Sequence, residues 1–252
     1  MTPVKIATWN VNGIRARQVQ FLEWIEREQP DVVCLQEIKA TPLQLGEALC
    51  DIPGYRCYWH GAGGYSGVSL NLRREAFAVE PAFSHPSFDR ETRIALATSG
   101  RLVVASTYVP NGRKDLDDKL AFLRQMQDWT AERLAAGDDV LVCGDMNVTR
   151  TDRDVHPRER NPKLVGQRPE ERALFEQFIG SGLVDLAREF DPDNDGLFTW
   201  WAPWRNMRGR NIGWRLDYIL ASRSLARRAI SCIVQPSVGT SDHAPVVATF
   251  EV

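Results

Sequence analysis

The apolar run Val140-Leu141-Val142-Cys143 leads through Gly144 into Asp145-Met146-Asn147, and this stretch carries most of the information about the fold. A short run rich in apolar and β-branched residues predicts a buried strand, and here polar residues follow it directly. We expect the same arrangement, a strand leading into Asn, Asp, Glu or His, in four more segments: 9–13, 35–37, 214–218 and 241–245. Strand ends are where α/β proteins hold their functional groups, so these segments predict an α/β protein.

Strand-like segments recur along the chain. They predict strands at residues 6–11, 32–35, 68–72, 102–108, 140–143, 216–220 and 246–250. Helical spacing predicts three helices, marked by Phe21-Leu22-Ile25, Phe122-Leu123-Met126-Trp129 and Leu174-Phe175-Phe178. We expect Asp117 or Asp118 to cap the second helix and the third to begin near Pro169.

Many strands with few helices predict β-sheets packed on one another and covered by helices, not a single doubly wound sheet. No linker, repeat or low-complexity segment divides the chain, so we expect one domain over residues 1–252. The irregular, charge-rich segment 149–168 is longer than an ordinary connection, which is typical of a functional loop.

The composition is that of a soluble globular protein: 252 residues, 43% hydrophobic and 25% charged. With a formal net charge of -2, the chain is no polycation, and any binding of nucleic acid needs a local basic patch. One segment, 196–216, has four arginines and no acid, interleaved with tryptophans: Arg205, Arg208, Arg210 and Arg215, with Trp200, Trp201, Trp204 and Trp214. A nucleic-acid surface and a solvated loop with a few buried indoles both fit this pattern.

The five cysteines have no C-x-x-C spacing, which favours free thiols and a reducing compartment. The N-terminal residues enter a strand without a leader-like apolar region, and no run approaches the roughly 18 apolar residues that span a bilayer. We therefore expect a cytoplasmic protein with no membrane partner.

The polar residues suit hydrolysis of a phosphodiester, which needs a positioned water, a base and a cation near the departing oxygen. Glu37 and Asp242 are oxygen ligands of the kind that Mg²⁺ or Mn²⁺ prefers. The four histidines, His60, His85, His156 and His243, show no zinc-type spacing.

Asp217 and His243 could form a carboxylate–imidazole pair that orients the ring and raises its pKa, although a single His is more often a buried structural residue. A Ser-His-Asp hydrolase is the rival enzymatic interpretation, but the chain has no G-x-S-x-G motif.

Six motifs, in order, resemble those of the exonuclease III family of apurinic/apyrimidinic (AP) endonucleases, part of the endonuclease/exonuclease/phosphatase superfamily. They are residues 8–16, 35–39, 108–111, 144–147, 213–218 and 241–245. The resemblance implies a four-layered α/β sandwich, with two packed mixed β-sheets flanked by helices and the active site at one edge of the sandwich.

The resemblance also implies roles for individual residues. Glu37 would be the principal ligand of Mg²⁺ or Mn²⁺, helped by Asn10, Asn12 and Asp242. Asp145 would orient or deprotonate the attacking water beside Asn147. Tyr108 and His243 would contact the scissile phosphate, with Asp217 holding His243 and Asn111 lining the phosphate site.

Trp200, Trp214 and Leu216 match the wall of a pocket for a flipped-out, base-less sugar, and Arg205, Asn206 and Arg113 are expected to contact DNA. Alternation along a strand through Trp214 would put Trp214, Leu216 and Tyr218 on one face, away from Asp217, unless the backbone is irregular there. Two stretches depart from the family pattern: Trp204-Arg205 stand where relatives often place apolar wedges, and residues 154–163 lack the usual asparagines.

The resemblance implies a DNA repair nuclease that cuts the phosphodiester 5′ to an abasic site, with 3′-5′ exonuclease and 3′-phosphodiesterase activity. The expected partner is double-stranded DNA that contains abasic sites or blocked 3′ ends, bound by a monomer. Two alternatives stay open: a ribonuclease or phosphatase of the same superfamily, and a non-catalytic regulator that binds nucleic acid on the same fold.

Overall fold

The computed structural model describes residues 3–251, which form twelve strands and six α-helices. The strands are β1 (Val4–Asn10), β2 (Val32–Gln36), β3 (Tyr55–His60), β4 (Val68–Arg73), β5 (Ala82–Ser84), β6 (Ile94–Ser99), β7 (Leu102–Tyr108), β8 (Asp139–Asp145), β9 (Leu183–Asp185), β10 (Asp217–Ser222), β11 (Ala229–Val234) and β12 (Val246–Phe250). The seven strands expected from the sequence are all present, the sixth beginning one residue later than expected.

The helices are fewer and lie between the strands. They are α1 (Ile14–Glu28), α2 (Glu47–Cys50), α3 (Leu116–Ala135), α4 (Pro169–Gly180), α5 (Leu186–Phe190) and α6 (Arg223–Ala226). The expected cap of α3 is wrong: Asp115 is the N-cap and accepts from the Asp118 backbone N–H at 2.9 Å, while Asp117 and Asp118 occupy the first turn. Both acids still face the positive end of the helix dipole.

Two six-stranded sheets form the centre of the molecule. Sheet A has the order β11-β12-β1-β2-β4-β3, and sheet B has the order β5-β6-β7-β8-β10-β9. Each sheet is mixed, because β1–β2 and β7–β8 are parallel and the other pairs are antiparallel. This confirms the expected pair of packed mixed sheets.

Apolar side chains fill three spaces between the layers. The largest cluster lies between the sheets and includes Ile6, Leu70, Val104 and Ile219. A second cluster packs the outer face of sheet B against α3 and α4, and a third packs the outer face of sheet A against α1. The result is the four-layered α/β sandwich that the family resemblance implied.

Two of the five polar segments sit differently from the sequence expectation. The strand that contains Asp217 starts at that residue, and residues 241–245 precede β12 instead of ending a strand. Because β10 is antiparallel to β8 and β12 is antiparallel to β1, the beginnings of these strands lie at the same edge as the ends of β1 and β8. The polar residues therefore meet even though two of the strands run the other way.

Within residues 3–251, no helix has both the length and the apolar character needed to cross a membrane.

Candidate active site

The site lies along one edge of the sandwich and draws on both sheets. Asn10 ends β1 beside Gln36 of the parallel strand β2, so Glu37 follows immediately next to it. In sheet B, Tyr108 and Asp217 both pair with Asp145, one from each neighbouring strand. The register of two sheets thus gathers residues that are far apart in the sequence.

The backbone turns sharply where the strands end. A side chain at Gly144 would place its Cβ 1.9 Å from the carbonyl oxygen of Thr107, so only glycine allows β8 to approach β7 just before Asp145. Asn12, Glu37 and Asn147 have positive φ angles of 45°, 50° and 51°. Such conformations are uncommon outside glycine and concentrate at functional sites, since surrounding contacts must hold them in place.

Asn10 joins the two carboxylates of the site. Its Nδ2 donates to Glu37 Oε1 and to Asp145 Oδ2, both at 2.9 Å, and its Oδ1 accepts from the Asn12 backbone N–H at 3.0 Å. Ligand atoms of Glu37, Asp145 and His243 all lie within 4.8 Å of one another. One amide therefore fixes the spacing between an acid of sheet A and an acid of sheet B.

Lys39 is a site residue to which the sequence analysis gave no role. Its Nζ lies 2.7 Å from Glu37 Oε2 and 2.6 Å from Asn12 Oδ1. Burial alone would raise the pKa of Glu37, but the hydrogen bonds from Asn10 and Lys39 outweigh it, so the pKa is lowered. The signal was present in the sequence as a basic residue two positions after a candidate metal ligand.

His243 and Asp217 form the expected carboxylate–imidazole pair. His243 Nδ1 lies 2.8 Å from Asp217 Oδ2, and its Nε2 lies 3.8 Å from Asp145 Oδ2. Burial would lower the pKa of His243, but the negative charges of Asp217 and Asp145 outweigh it and raise the pKa to about 10. The ring is therefore a cation at neutral pH that can donate a proton or a hydrogen bond.

The pKa of Asp145 is also raised, but here burial is the main cause. Complete burial raises its pKa to about 7; the nearby charge of His243 lowers the pKa, whereas those of Asp217 and Glu37 raise it further. The Asn147 backbone N–H donates to Asp145 Oδ1 at 2.9 Å. A carboxylate with a pKa near the working pH is suited to accept a proton from water.

Tyr108 stays protonated beside these acids. It is 6% exposed, and burial together with the negative charges of Glu37 and Asp145 raises its pKa far above the usual value. The Arg93 guanidinium lies 4.8 Å from the ring centroid and donates to the Tyr108 carbonyl oxygen at 3.3 Å. The hydroxyl can therefore act as a hydrogen-bond donor, held from behind by an arginine that the sequence analysis did not single out.

Asn147 and Asn111 are fixed from beneath by a buried lysine. Asn111 Nδ2 donates to Asn147 Oδ1 at 3.1 Å, and Asn147 Nδ2 donates to the Val109 carbonyl at 2.9 Å. Lys119 Nζ donates to the backbone carbonyls of Asn111 and Asn147 at 3.3 and 2.7 Å and pairs with the fully buried Glu171. Both asparagines are thus positioned by α3 and α4.

Asp242 lies at the site, with both carboxylate oxygens occupied by donors. Asn12 Nδ2 donates to its Oδ1 at 2.8 Å and Trp200 Nε1 to its Oδ2 at 2.9 Å. Burial would raise its pKa, but the positive charge of His243 and these two donors lower it. Asp242 therefore stays ionised next to the three clustered ligands.

Trp200 lies beside His243 and contacts Trp214, and the buried Leu216 follows Trp214 by two residues. The indoles of Trp200 and Trp214 meet edge to face with ring centroids 5.5 Å apart, and Trp200 lies 6.5 Å from the His243 ring. Trp214 lies outside β10 and forms isolated bridges to Val155 and Trp200, so the backbone before this strand is irregular.

The irregularity before β10 has a specific cause. The successive backbone N–H groups of Leu216 and Asp217 both donate to Thr199 Oγ1, at 2.9 and 3.0 Å, whereas consecutive N–H groups of a regular strand point in opposite directions. Strand alternation fails here, so Leu216 and Asp217 can both belong to the site.

The arginines of segment 196–216 do not form one surface. Arg215 is fully buried and binds Asp185 through two nitrogens at 2.8 Å and Asp154 through Nε at 2.7 Å. Arg208 donates to backbone carbonyls of residues 236, 238 and 241. The other residues expected to contact DNA, Arg205, Asn206 and Arg113, are all exposed, and within residues 3–251 no hydrogen bond or ion pair ties their side chains to the site.

The donor set fits a hard divalent cation. Glu37 supplies an ionised carboxylate, and ligand atoms of Asp145 and His243 lie within 4.8 Å of its own. The negative charges of Asp217 and Glu37 add to the effect of burial in raising the pKa of Asp145, and a cation held by Glu37 would offset that charge. His243 keeps its proton, so its nitrogen is not a competing ligand.

Comparison with known proteins agrees with this geometry. Residues 7–243 match the Endonuclease/Exonuclease/phosphatase family. The chain is 35% identical over 254 residues to the Recombination repair protein 1 of Drosophila melanogaster, covering 99% of the chain but 37% of that longer protein. It is 32% identical over 250 residues to an exodeoxyribonuclease of Bacillus subtilis, covering 96% of the chain and 98% of the relative. An AP endonuclease structure from Archaeoglobus fulgidus has a TM-score of 0.88 at 30% identity and covers 99% of this chain and 100% of that one.

With a family match over nearly its whole length and these relatives, the chain belongs to the endonuclease/exonuclease/phosphatase family and, within it, to the exonuclease III-type AP endonucleases.

Proposed function

We propose that this protein is a metal-dependent DNA repair nuclease that hydrolyses the phosphodiester 5′ to an abasic site. It leaves a 3′-hydroxyl and also removes nucleotides and blocking groups from 3′ ends. The observation that carries the proposal is that a proton acceptor and a proton donor lie at the same edge of the sandwich. The acceptor is Asp145, with a pKa of about 7, and the donor is His243, with a pKa of about 10. General acid–base chemistry at neutral pH needs one group of each kind.

Asp145 takes the proton from the attacking water. Its Oδ1 is held by the Asn147 backbone and its Oδ2 by Asn10, so the carboxylate has one orientation. Asn147 and Asn111 line the phosphate site next to it, kept in place by Lys119.

His243 and Tyr108 donate to the non-bridging oxygens of the scissile phosphate. His243 carries positive charge because Asp217 holds its Nδ1, and Tyr108 keeps its proton because its site is buried and acidic. Donors fixed where negative charge grows in the transition state supply a large part of catalysis.

The family is divalent-metal-dependent, and we propose Mg²⁺ or Mn²⁺ as the ion. Glu37 is its principal ligand, with Asn10, Asn12 and Asp242 around it. An ion held by these residues would supply positive charge to stabilise the negative charge that develops on the departing oxygen. Glu37 and Asp242 both have lowered pKa values and are therefore ionised and ready to accept a cation at neutral pH.

The substrate is double-stranded DNA, and the abasic sugar is the part that is recognised. The contact of Trp200 with Trp214 and with His243 supports an apolar wall, which Leu216 would complete, that accepts a flipped-out sugar and excludes a nucleotide with its base. Arg205, Asn206 and Arg113 are exposed and available to the DNA backbone.

We further propose a monomeric enzyme formed by a single domain over residues 1–252, because one chain supplies both halves of the site. The five cysteines are free thiols, which supports a reducing, cytoplasmic environment.

The test compares the cleavage of three labelled substrates: a duplex with one abasic analogue, the same duplex without it, and a matched RNA. We expect incision of the abasic strand that stops in excess chelator and a loss of roughly 10² to 10⁴ in rate for Asp145→Asn at unchanged DNA affinity. Binding without cutting would favour the non-catalytic regulator. Faster cleavage of the RNA, or release of phosphate from small esters alone, would favour a ribonuclease or phosphatase.

A further inference from the structure

A second cluster of ligand-type side chains lies apart from the acids described above. It consists of His60 at the end of β3, His85 just after β5 and Asp89 in the loop before β6. One ligand atom from each residue lies within 4.8 Å of the other two. Among residues 3–251, no hydrogen bond joins any of the three to Glu37, Asp145 or His243, so the cluster is a separate group.

Asp89 is held as a prepared ligand. Its Oδ1 accepts from the backbone N–H groups of Arg93 and Ile94 at 2.9 and 3.0 Å. This fixes the carboxylate and leaves Oδ2 to face His60 Nε2 at 2.6 Å. Hydrogen bonds that orient a ligand in this way typify protein metal sites.

His60 is equally constrained, whereas His85 can move. The His60 ring stacks on Tyr58, with centroids 6.0 Å apart, and Tyr58 stacks on Phe83. The His85 ring also stacks on His60, with centroids 4.7 Å apart and ring planes tilted by 11°. Because a nitrogen lone pair lies in the ring plane, two parallel rings cannot share an ion, and the exposed His85 must turn to complete the site.

We propose that His60, His85 and Asp89 bind one transition-metal ion of the Zn²⁺ class. Two imidazoles and one carboxylate suit Zn²⁺ or Co²⁺, whereas Mg²⁺ prefers an all-oxygen set. Ligands on a tetrahedral Zn²⁺ at roughly 2.0–2.1 Å lie about 3.3 Å apart, which the turn of His85 and a small widening of the His60–Asp89 contact achieve. The ion replaces the proton shared by His60 and Asp89, and water fills the remaining position.

The expected effect of the ion is structural. His60 belongs to sheet A, and His85 and Asp89 flank sheet B, so the ion joins the two sheets at their β3–β5 side. Binding to the folded state alone raises its stability. The ligands are separate from the proposed catalytic residues, and the nuclease reaction therefore does not need this ion.

The test is a Co²⁺ titration of the intact chain in excess Mg²⁺, followed by visible absorption, with a parallel Zn²⁺ titration by calorimetry. We expect one bound ion per chain and a higher melting temperature with Zn²⁺. His85→Gln, at an exposed position, should weaken binding by roughly 10-fold or more and leave abasic-site incision unchanged. Asp89→Asn keeps an oxygen for the backbone N–H groups but removes the anionic ligand, and it should have the same effect on binding.

Glu37→Gln is the control for the ion's location. It removes the principal ligand of the nuclease site, and it should leave the Co²⁺ absorption intact. An absorption that survives in His85→Gln and disappears in Glu37→Gln would place the ion in the nuclease site and overturn the proposal. So would the absence of any stoichiometric binding to the wild-type chain.

Discussion

Replacement of Asp217 by Asn should shift the whole pH–rate profile to lower pH. Under the proposed mechanism, the wild-type protein is active when Asp145 is ionised and His243 is protonated. With pKa values of about 7 and about 10, these two groups predict a rate that rises through pH 7 and falls near pH 10. The carboxylate of Asp217 raises both pKa values, so its loss moves both limbs of the profile in the same direction.

The size of the shift follows from the 2.8 Å contact between Asp217 and His243. An adjacent opposite charge changes a pKa by about 1–3. The pKa of His243 should therefore fall from about 10 to roughly 7–9 in Asp217→Asn. If it falls to about 8, one tenth of the rings are protonated at pH 9, and the rate there drops about 10-fold below its value at pH 7.

The assay is kcat/KM for abasic-site incision between pH 6 and 10 at fixed ionic strength, with saturating metal. Asp193→Asn is the matched control, because it makes the same chemical change at a side chain that is 94% exposed. Its profile should equal that of the wild type. An upper limb that stays near pH 10 in Asp217→Asn would refute the idea that Asp217 sets the charge of His243, and a uniform loss at every pH would assign Asp217 a purely positional role.

Three further outcomes are expected. Glu37→Gln should lower kcat by roughly 10²-fold at nearly unchanged DNA affinity, because the metal acts on transition-state charge; equal losses in kcat and affinity would contradict this. Trp214→Ala should reduce kcat/KM for abasic-site incision more than for removal of a 3′-phosphate, and equal losses would make Trp214 a packing residue. Lys119→Met should lower the free energy of unfolding in urea by about 3–5 kcal/mol, because it removes the cation that pairs with the fully buried Glu171, and a loss below about 1 kcal/mol would show that this buried pair does not stabilise the fold.

The sequence predicted the central strands well, and the edge strands poorly, for a physical reason. Strands such as β7 and β8 are buried on both faces and appear as continuous apolar runs. All four edge strands were missed: β5 and β9 are three residues long, and β3 and β11 have mixed patterns of burial, so their structure depends on pairing with a neighbour more than on local composition. Such pairing is not visible in a short stretch of sequence. The inner strand β6 was missed as well, because alanine, which is depleted in strands, makes up half of its run Ile94-Ala95-Leu96-Ala97.

The sequence predicted which residues belong to the site better than it predicted the contacts among them. The motifs named Asp145, Asp217 and His243, but the direction of β10 follows only from the sheet register. The two backbone hydrogen bonds that Thr199 Oγ1 accepts likewise follow only from the folded structure. His60 and Asp89 are separated by 29 positions and have no recognisable ligand spacing. Spacing rules detect ligands on one element, and they miss ligands that two sheets bring together.

Because each sheet supplies part of the site, the rate of the reaction depends on the distance between the two sheets. Asn10 reaches across to Asp145 at 2.9 Å, His243 to Asp217 at 2.8 Å, and Gln36 to Ser106 at 3.2 Å, so three polar contacts join the sheets at or near this edge. A displacement of about 1 Å at reacting groups can cost a factor of about 10² in rate. Mild heating or low denaturant that loosens the packing of the sheets should therefore abolish activity while the secondary structure is still intact. A ligand that contacts both sheets at this edge should restore both their spacing and the activity.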